Sequence, residues 1–206
     1  MARVRDLSVE EVPEDLQALY LRFSGEYGNF ASQVKVLAHS PSALRHLYGL
    51  LVDWREQMSL PRRLVEIAVV TVSRVNRCSY CVTHHGPVLV DLGIPPEAVD
   101  QILEPLPTGF GPVDVLVRDY ARLVIERPWG IRDSVFADLR KTFSEQQIVE
   151  LTLRISLCSL FNQLNEALQI ELEEGVLAGA LARGLSATAI DDGHGAASPA
   201  HASIDA

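Results

Sequence analysis

The sequence holds little that would commit it to nucleic acid, to a membrane or to a secreted disulfide framework. Aromatic residues make up only 6% of the 206, and 18 Lys and Arg face 27 Asp and Glu. A net charge of −9 argues against general binding to polyanions or anionic lipid. No run approaches the ~20 apolar residues of a membrane-spanning helix. The opening MARVRDLSVEEVPEDL is charged and lacks the apolar core of a secretory signal. Three cysteines, two of them in one C-x-x-C, do not make a disulfide scaffold. A reducing cytoplasm fits them better, because disulfides there are usually transient and catalytic.

Strand signals are also missing, since no segment alternates convincingly with period two. What remains is a 48% hydrophobic chain rich in Leu, Val and Ala that reads as helix after helix. The spacing predicts helices near 13–23, 31–38 and 42–57, then one opened by Pro61, one from Cys78 to Leu92, and a short one after Pro96. Helices near 113–126, 132–142 and 145–174 follow. Ser144 with Gln147 forms a capping-box signal for the last of these. One all-α domain is expected over residues 1–185. Residues 186–206 are rich in Ala, Ser, Gly and Asp and read as a disordered, dispensable tail. His194 and His201 in that tail are read as part of it.

A weak internal repeat is also present. Gln147–Leu151 resembles Arg63–Ile67 at an offset of 84. The same offset sets Cys78, Cys81 and His85 against Asn162, Asn165 and Gln169. On this reading Glu150 occupies the place of Glu66 without its chemistry.

The chemistry concentrates between Glu66 and His85, EIAVVTVSRVNRCSYCVTHH, where the pattern is E-x11-C-x2-C-x3-H. Two thiols, an imidazole and a carboxylate in one segment point to redox thiol chemistry with proton transfer. Asn76-Arg77-Cys78 reads as a break between two helices. At about 100° per residue, Cys78, Cys81 and His85 share one face of the second helix, and His85 lies one turn beyond Cys81. His84 is displaced but adjacent, and Tyr80 points elsewhere. Glu66 sits in a helix apolar nearly all round, so its carboxylate is expected to be buried with a raised pKa. A pair with Arg62 or Arg63 is the structural alternative.

Which thiol attacks is left open by the residues. A helix N-terminus favours a thiolate at Cys78, whereas the neighbouring histidine favours Cys81. A zinc site from Cys78, Cys81, His84 and His85 is disfavoured, because four ligands on one short helix cannot easily surround a tetrahedral ion. Cys158 reads as a small core residue, and Trp54 and Trp129 as core or interface residues.

Glu66, Cys78, Cys81 and His85, set in RVNRCSYCVTHH, resemble the alkylhydroperoxidase D (AhpD-like) branch of the carboxymuconolactone decarboxylase family. The resemblance extends over about residues 15–175. It implies an all-helical, oligomeric protein, a trimer or hexamer, that reduces hydroperoxides without a cofactor or metal. It makes Cys81 the peroxide-attacking thiol and Cys78 the resolving, partner-facing thiol. Glu66 and His85 become the proton relay, and a thiol protein or dihydrolipoyl-type adaptor becomes the reductant. Tyr80 stands where the best-known peroxidases of the family carry a second histidine. Other members of the family are non-redox enzymes that need no C-x-x-C, and thiol–disulfide exchange without peroxidase activity is a further alternative.

Overall fold

The computed structural model describes residues 2–26, 30–187 and 190, and among these there is no strand. The helices are α1 (Glu14–Leu21), α2 (Ala31–Leu37), α3 (Pro41–Ala43), α4 (Gly49–Gln57), α5 (Arg62–Val75) and α6 (Ser79–Asp91). They continue as α7 (Pro96–Asp100), α8 (Pro112–Glu126), α9 (Asp133–Thr142), α10 (Glu145–Leu168) and α11 (Val176–Ala182). The expected all-α architecture is therefore observed. None of these helices is long and apolar enough to cross a membrane.

Local signals set most boundaries. Ser40 Oγ accepts from the Ala43 N–H, and Pro41 opens the helix behind it. Ser144 and Gln147 form the predicted reciprocal cap at 3.2 and 3.0 Å. Two segments read as plain helix contain π-type turns, at Arg22–Glu26 and Leu44–Tyr48.

The segment expected as one helix over 145–174 ends early. Gln169 adopts the left-handed conformation (φ 50°), and the Ile170 N–H donates to the Asn165 carbonyl at 3.0 Å. This closing turn folds Ile170 and Glu173 back onto the C-x-x-C segment. Nothing in local propensity marks Gln169 as the stop, because burial of Ile170 beside the cysteines drives the turn. The repeat at offset 84 does not carry the α5–α6 break with it, since α10 runs unbroken through Leu168.

Buried α5 is the central element. Leu64, Ile67, Val70 and Val72 pack into a core with residues of α6, α8 and α10. A second core joins α1, α2, Leu44 and Tyr48 to Leu157 and Phe161 of α10. Cys78, Tyr80 and Cys81 form a small cluster with Val36 and Ile170.

The expected tail boundary needs revision for the residues described. The Ser186 N–H donates to Asp100, and Ile190 is only 6% exposed within the main core. Residues 188–189 and 191–206 lie outside the described residues. A truncation at Gly184 would remove the buried Leu185 and Ile190, so it should lower the melting temperature. Ile190→Ala alone should cost about 2–4 kcal/mol in urea unfolding. An unchanged midpoint would show that Ile190 does not contribute to the core.

Candidate active site

The break between α5 and α6 creates the site. Arg77 takes φ 55°, which reverses the chain after Asn76. The Cys78 N–H then bonds to the Ser73 carbonyl at 2.9 Å, and Cys78 becomes the residue capping α6. Cys81 follows in the first turn and His85 one turn later, as the spacing predicted. Both motif cysteines are reduced and buried, Cys78 at 0% and Cys81 at 4% exposure.

His85 Nδ1 lies 2.7 Å from Glu66 Oε2. This is the partner of Glu66. Arg63 pairs instead with Asp114 at 2.8 Å, and Arg62 stands 3.9 Å from Glu66 Oε1. Burial raises the Glu66 pKa, as expected from sequence, but His85, Arg154 and Arg62 outweigh it and the net shift is downward. The expectation of a raised pKa is therefore corrected, because cations face this buried carboxylate. The stability it lends is fully present above the ordinary carboxylate range. It is lost as pH falls through the lowered folded value. An ionised carboxylate can only accept, so Nδ1 carries the proton and Nε2 is left with the lone pair of a base.

The Cys81 thiol is pushed well above its usual range, first by its hydrogen bond with Cys78 and then by burial. It therefore needs a base to become a nucleophile. Hydrogen bonding from α10 opposes this rise, and Asn162 lowers the pKa. Asn165 Nδ2 donates to Cys81 Sγ at 3.2 Å and lies 3.8 Å from Cys78 Sγ. Its orientation is fixed from behind, because Asn165 Oδ1 accepts from Gln33 Nε2 at 2.8 Å and Gln33 Oε1 accepts from the Tyr48 hydroxyl at 3.1 Å. All three residues are buried. The offset of 84 paired Asn165 with Cys81, but nothing in it showed that the two would touch. Asn162 and Asn165 on an otherwise apolar face of α10 were the available signal.

A second constellation was not foreseen. Glu173 accepts from the Tyr80 hydroxyl at 2.8 Å and from the Ser32 N–H at 2.7 Å. His84 Nε2 lies 2.8 Å from Glu173, and its Nδ1 lies 2.6 Å from the Tyr80 carbonyl. The Glu173 pKa is raised by burial but lowered on balance, first by His84 and then by the Ser32 N–H. Both ring nitrogens of His84 thus face oxygen acceptors within hydrogen-bond distance. Phe30 stacks on one face of the His84 ring at 4.7 Å, and Tyr80 lies at 4.3 Å. Tyr80 is thus turned from the cavity, as predicted, yet it packs beside both cysteines. Among the described residues no cluster of three or more His, Cys, Asp or Glu could hold a metal ion.

Cys81, His84, His85 and Glu66 line one cavity of about 570 Å³. Its walls combine aromatic side chains, Phe30, Tyr48, Trp54 and Phe161 among them, with charged and polar ones. Trp54 therefore faces the cavity rather than acting only in a core, whereas Trp129 is 83% exposed. Cys158 also lines this cavity, but it is packed in the main core with its pKa raised to about 11, chiefly by burial. Glu150 lies elsewhere and accepts from Ser59 and Gln146, so Glu150→Gln should leave thiol reactivity unchanged. A slowed alkylation of Cys81 in that variant would contradict this placement.

Residues 41–112 match the carboxymuconolactone decarboxylase family model. Comparison with curated protein sequences returns no significant match. The fold is similar to that of an alkylhydroperoxidase AhpD-core, peroxidase-related protein from Ralstonia eutropha JMP134. That similarity has a TM-score of 0.76 at 21% identity and covers 87% of this chain and 96% of that one. A peroxidase-related protein from Silicibacter sp. TM1040 gives 0.67 at 18% identity, covering 85% and 94%. The debrominase Bmp8, as a cysteine-to-alanine variant in complex with 2,3,4-tribromopyrrole, gives 0.71 at 16% identity, covering 87% and 96%. The E…C-x-x-C…H segment falls inside the matched region, so residues 41–112 are similar to the carboxymuconolactone decarboxylase family, and the chain shares the all-helical fold of the AhpD-core protein.

Proposed function

We propose that the protein is a thiol-dependent peroxidase that reduces organic hydroperoxides. The observation that carries this reading is that Cys81 shares one cavity with a Glu66–His85 pair whose free nitrogen is a base. Cys78 does not line that cavity. This favours Cys81 for attack and Cys78 for resolution.

In the proposed cycle, His85 Nε2 takes the Cys81 proton. The thiolate attacks the distal peroxide oxygen, so an S–O bond forms and the O–O bond breaks. The departing alkoxide takes the proton back from His85 and leaves as an alcohol. Cys78 then attacks the sulfenic sulfur, an S–S bond forms and water leaves. A dithiol of the dihydrolipoyl type, or a thiol protein, reduces the disulfide by exchange. Because Cys78 is fully buried at the α6 cap, that last step requires the cap to open. A small dithiol should therefore reduce the disulfide faster than a protein thiol of equal potential.

Asn165 is proposed to position and stabilise the Cys81 thiolate. A hydrogen bond to a charged group is worth ~1.5–3 kcal/mol, so Asn165→Leu should slow Cys81 alkylation by iodoacetamide at least about tenfold. Wild-type alkylation rates across pH 7–9 would show the contact to be packing only.

We also propose a homo-oligomer, a trimer or hexamer. Val149, Leu153 and Leu160 are exposed on α10 at helical spacing and form an apolar stripe. Leu153→Glu should lower the mass seen by light scattering. A monomeric wild type at micromolar concentration would remove this proposal.

The test of the peroxidase reading is consumption of cumene hydroperoxide with excess dithiol, compared with bromide release from 2,3,4-tribromopyrrole. Peroxide loss that depends on Cys81 is expected. Bromide release without peroxide loss would instead favour reductive dehalogenation, which the aromatic walls over Cys81 can also accommodate.

A further inference from the structure

The same cavity carries information about the shape and charge of its substrate. Among the described residues three cations line it, each from a different element: Arg55 on α4, Arg62 at the start of α5 and Arg154 on α10. The chain has only 18 Lys and Arg and a net charge of −9, so three arginines around one cavity run against its overall charge. The carboxylate among the lining residues, Glu66, is held by His85. Arg62 lies 3.9 Å from Glu66, too far for a hydrogen bond, and its side chain is 67% exposed. Its donor fork is thus available to a second anion. A guanidinium matches a carboxylate bidentately, which gives orientation as well as attraction.

We propose that the substrate is a bulky organic hydroperoxide bearing a carboxylate. Its apolar body packs on Phe30 and Trp54, its acid group meets the arginines, and its peroxide lies at Cys81. This rests on the peroxidase reading and deepens it. A cavity of about 570 Å³ is far larger than hydrogen peroxide requires and lies within the range of drug-sized ligand sites. The carboxylate takes no part in the redox step. Only the O–O bond is reduced, the two thiols supply the electrons, and the alcohol that leaves keeps its acid group.

The experiment uses a matched pair, 4-(2-hydroperoxypropan-2-yl)benzoic acid and its methyl ester, with excess dithiol. Calorimetric binding of the two corresponding alcohols is measured alongside. The acid should show kcat/KM at least about tenfold above the ester, and its alcohol should bind correspondingly tighter. The acid-to-ester ratio should fall toward one in Arg154→Gln and in Arg55→Gln. Equal turnover and equal binding of acid and ester would overturn the carboxylate assignment and leave the peroxidase reading intact. A preference that survives in both arginine variants would also overturn it. If neither peroxide is consumed yet the acid alcohol still binds preferentially, the peroxidase reading fails and the anion site stands. No binding of either alcohol would overturn the site.

Discussion

Replacing Cys81 with serine should lower hydroperoxide consumption by on the order of 10⁴-fold or more, the scale on which an enzyme loses activity with its nucleophile. Serine cannot form the sulfenic acid through which the peroxide oxygen is transferred. Cys78 cannot substitute, because it is fully buried and does not line the cavity. The fold should survive, since Asn165 can donate to a serine oxygen where it now donates to sulfur. Cys78→Ser should behave differently. It should consume about one equivalent of peroxide and stop at a Cys81 sulfenic acid that dimedone traps. Equal rates for wild type and Cys81→Ser would mean that the thiol has no part in the reaction.

Glu66→Gln and His85→Ala should each lose about 10²–10⁴-fold in the rate of Cys81 oxidation, the usual range for general acid–base assistance. The double variant should lose less than the product, because the two act as one unit across a 2.7 Å contact. Glutamine presents an amide that no longer holds a positive charge on His85, although the shape is kept. The pH profile separates a relay from a scaffold. The Cys81 pKa is raised, so its thiolate fraction grows with pH until that raised value is reached. With His85 in place, the base is internal and the rate should depend weakly on pH above neutrality. In His85→Ala the rate should climb about tenfold per pH unit between 7 and 9, because the thiolate then forms only by free ionisation. Folded relay variants with wild-type rates and a wild-type profile would make Glu66 and His85 structural residues. The motif would then be read as a thiol-exchange site.

The parts of this site that follow from local chain geometry were legible in the sequence. Cys78, Cys81 and His85 sit on one face because helical spacing puts them there. The break at Asn76–Arg77 showed as a polar interruption between apolar helices. Glu66 was conspicuous as a carboxylate in a buried stretch, and its nearness to the motif was suggested by the family resemblance rather than by spacing. The direction of its pKa shift was misread. Burial was visible in the sequence, but Arg154, 88 positions away on α10, was not. The supporting residues were hidden for the same reason. Gln33, Tyr48, Asn165 and Glu173 reach the cysteines only through packing between distant segments. Glu173 arrives through the left-handed turn at Gln169, which no local signal announces. Composition made everything from Ser186 onward look dispensable, yet Ile190 is buried in the main core.

The most direct test of the account is a single turnover without external reductant. Fully reduced protein is mixed with less than one equivalent of cumene hydroperoxide, and lost peroxide, lost thiols and new disulfides are counted together. The account predicts two thiols lost for each peroxide consumed, one Cys78–Cys81 disulfide mapped by mass spectrometry, and Cys158 still free and reactive only after denaturation. Peroxide loss with no thiols consumed, or a disulfide joining Cys158 to either motif cysteine, would contradict it.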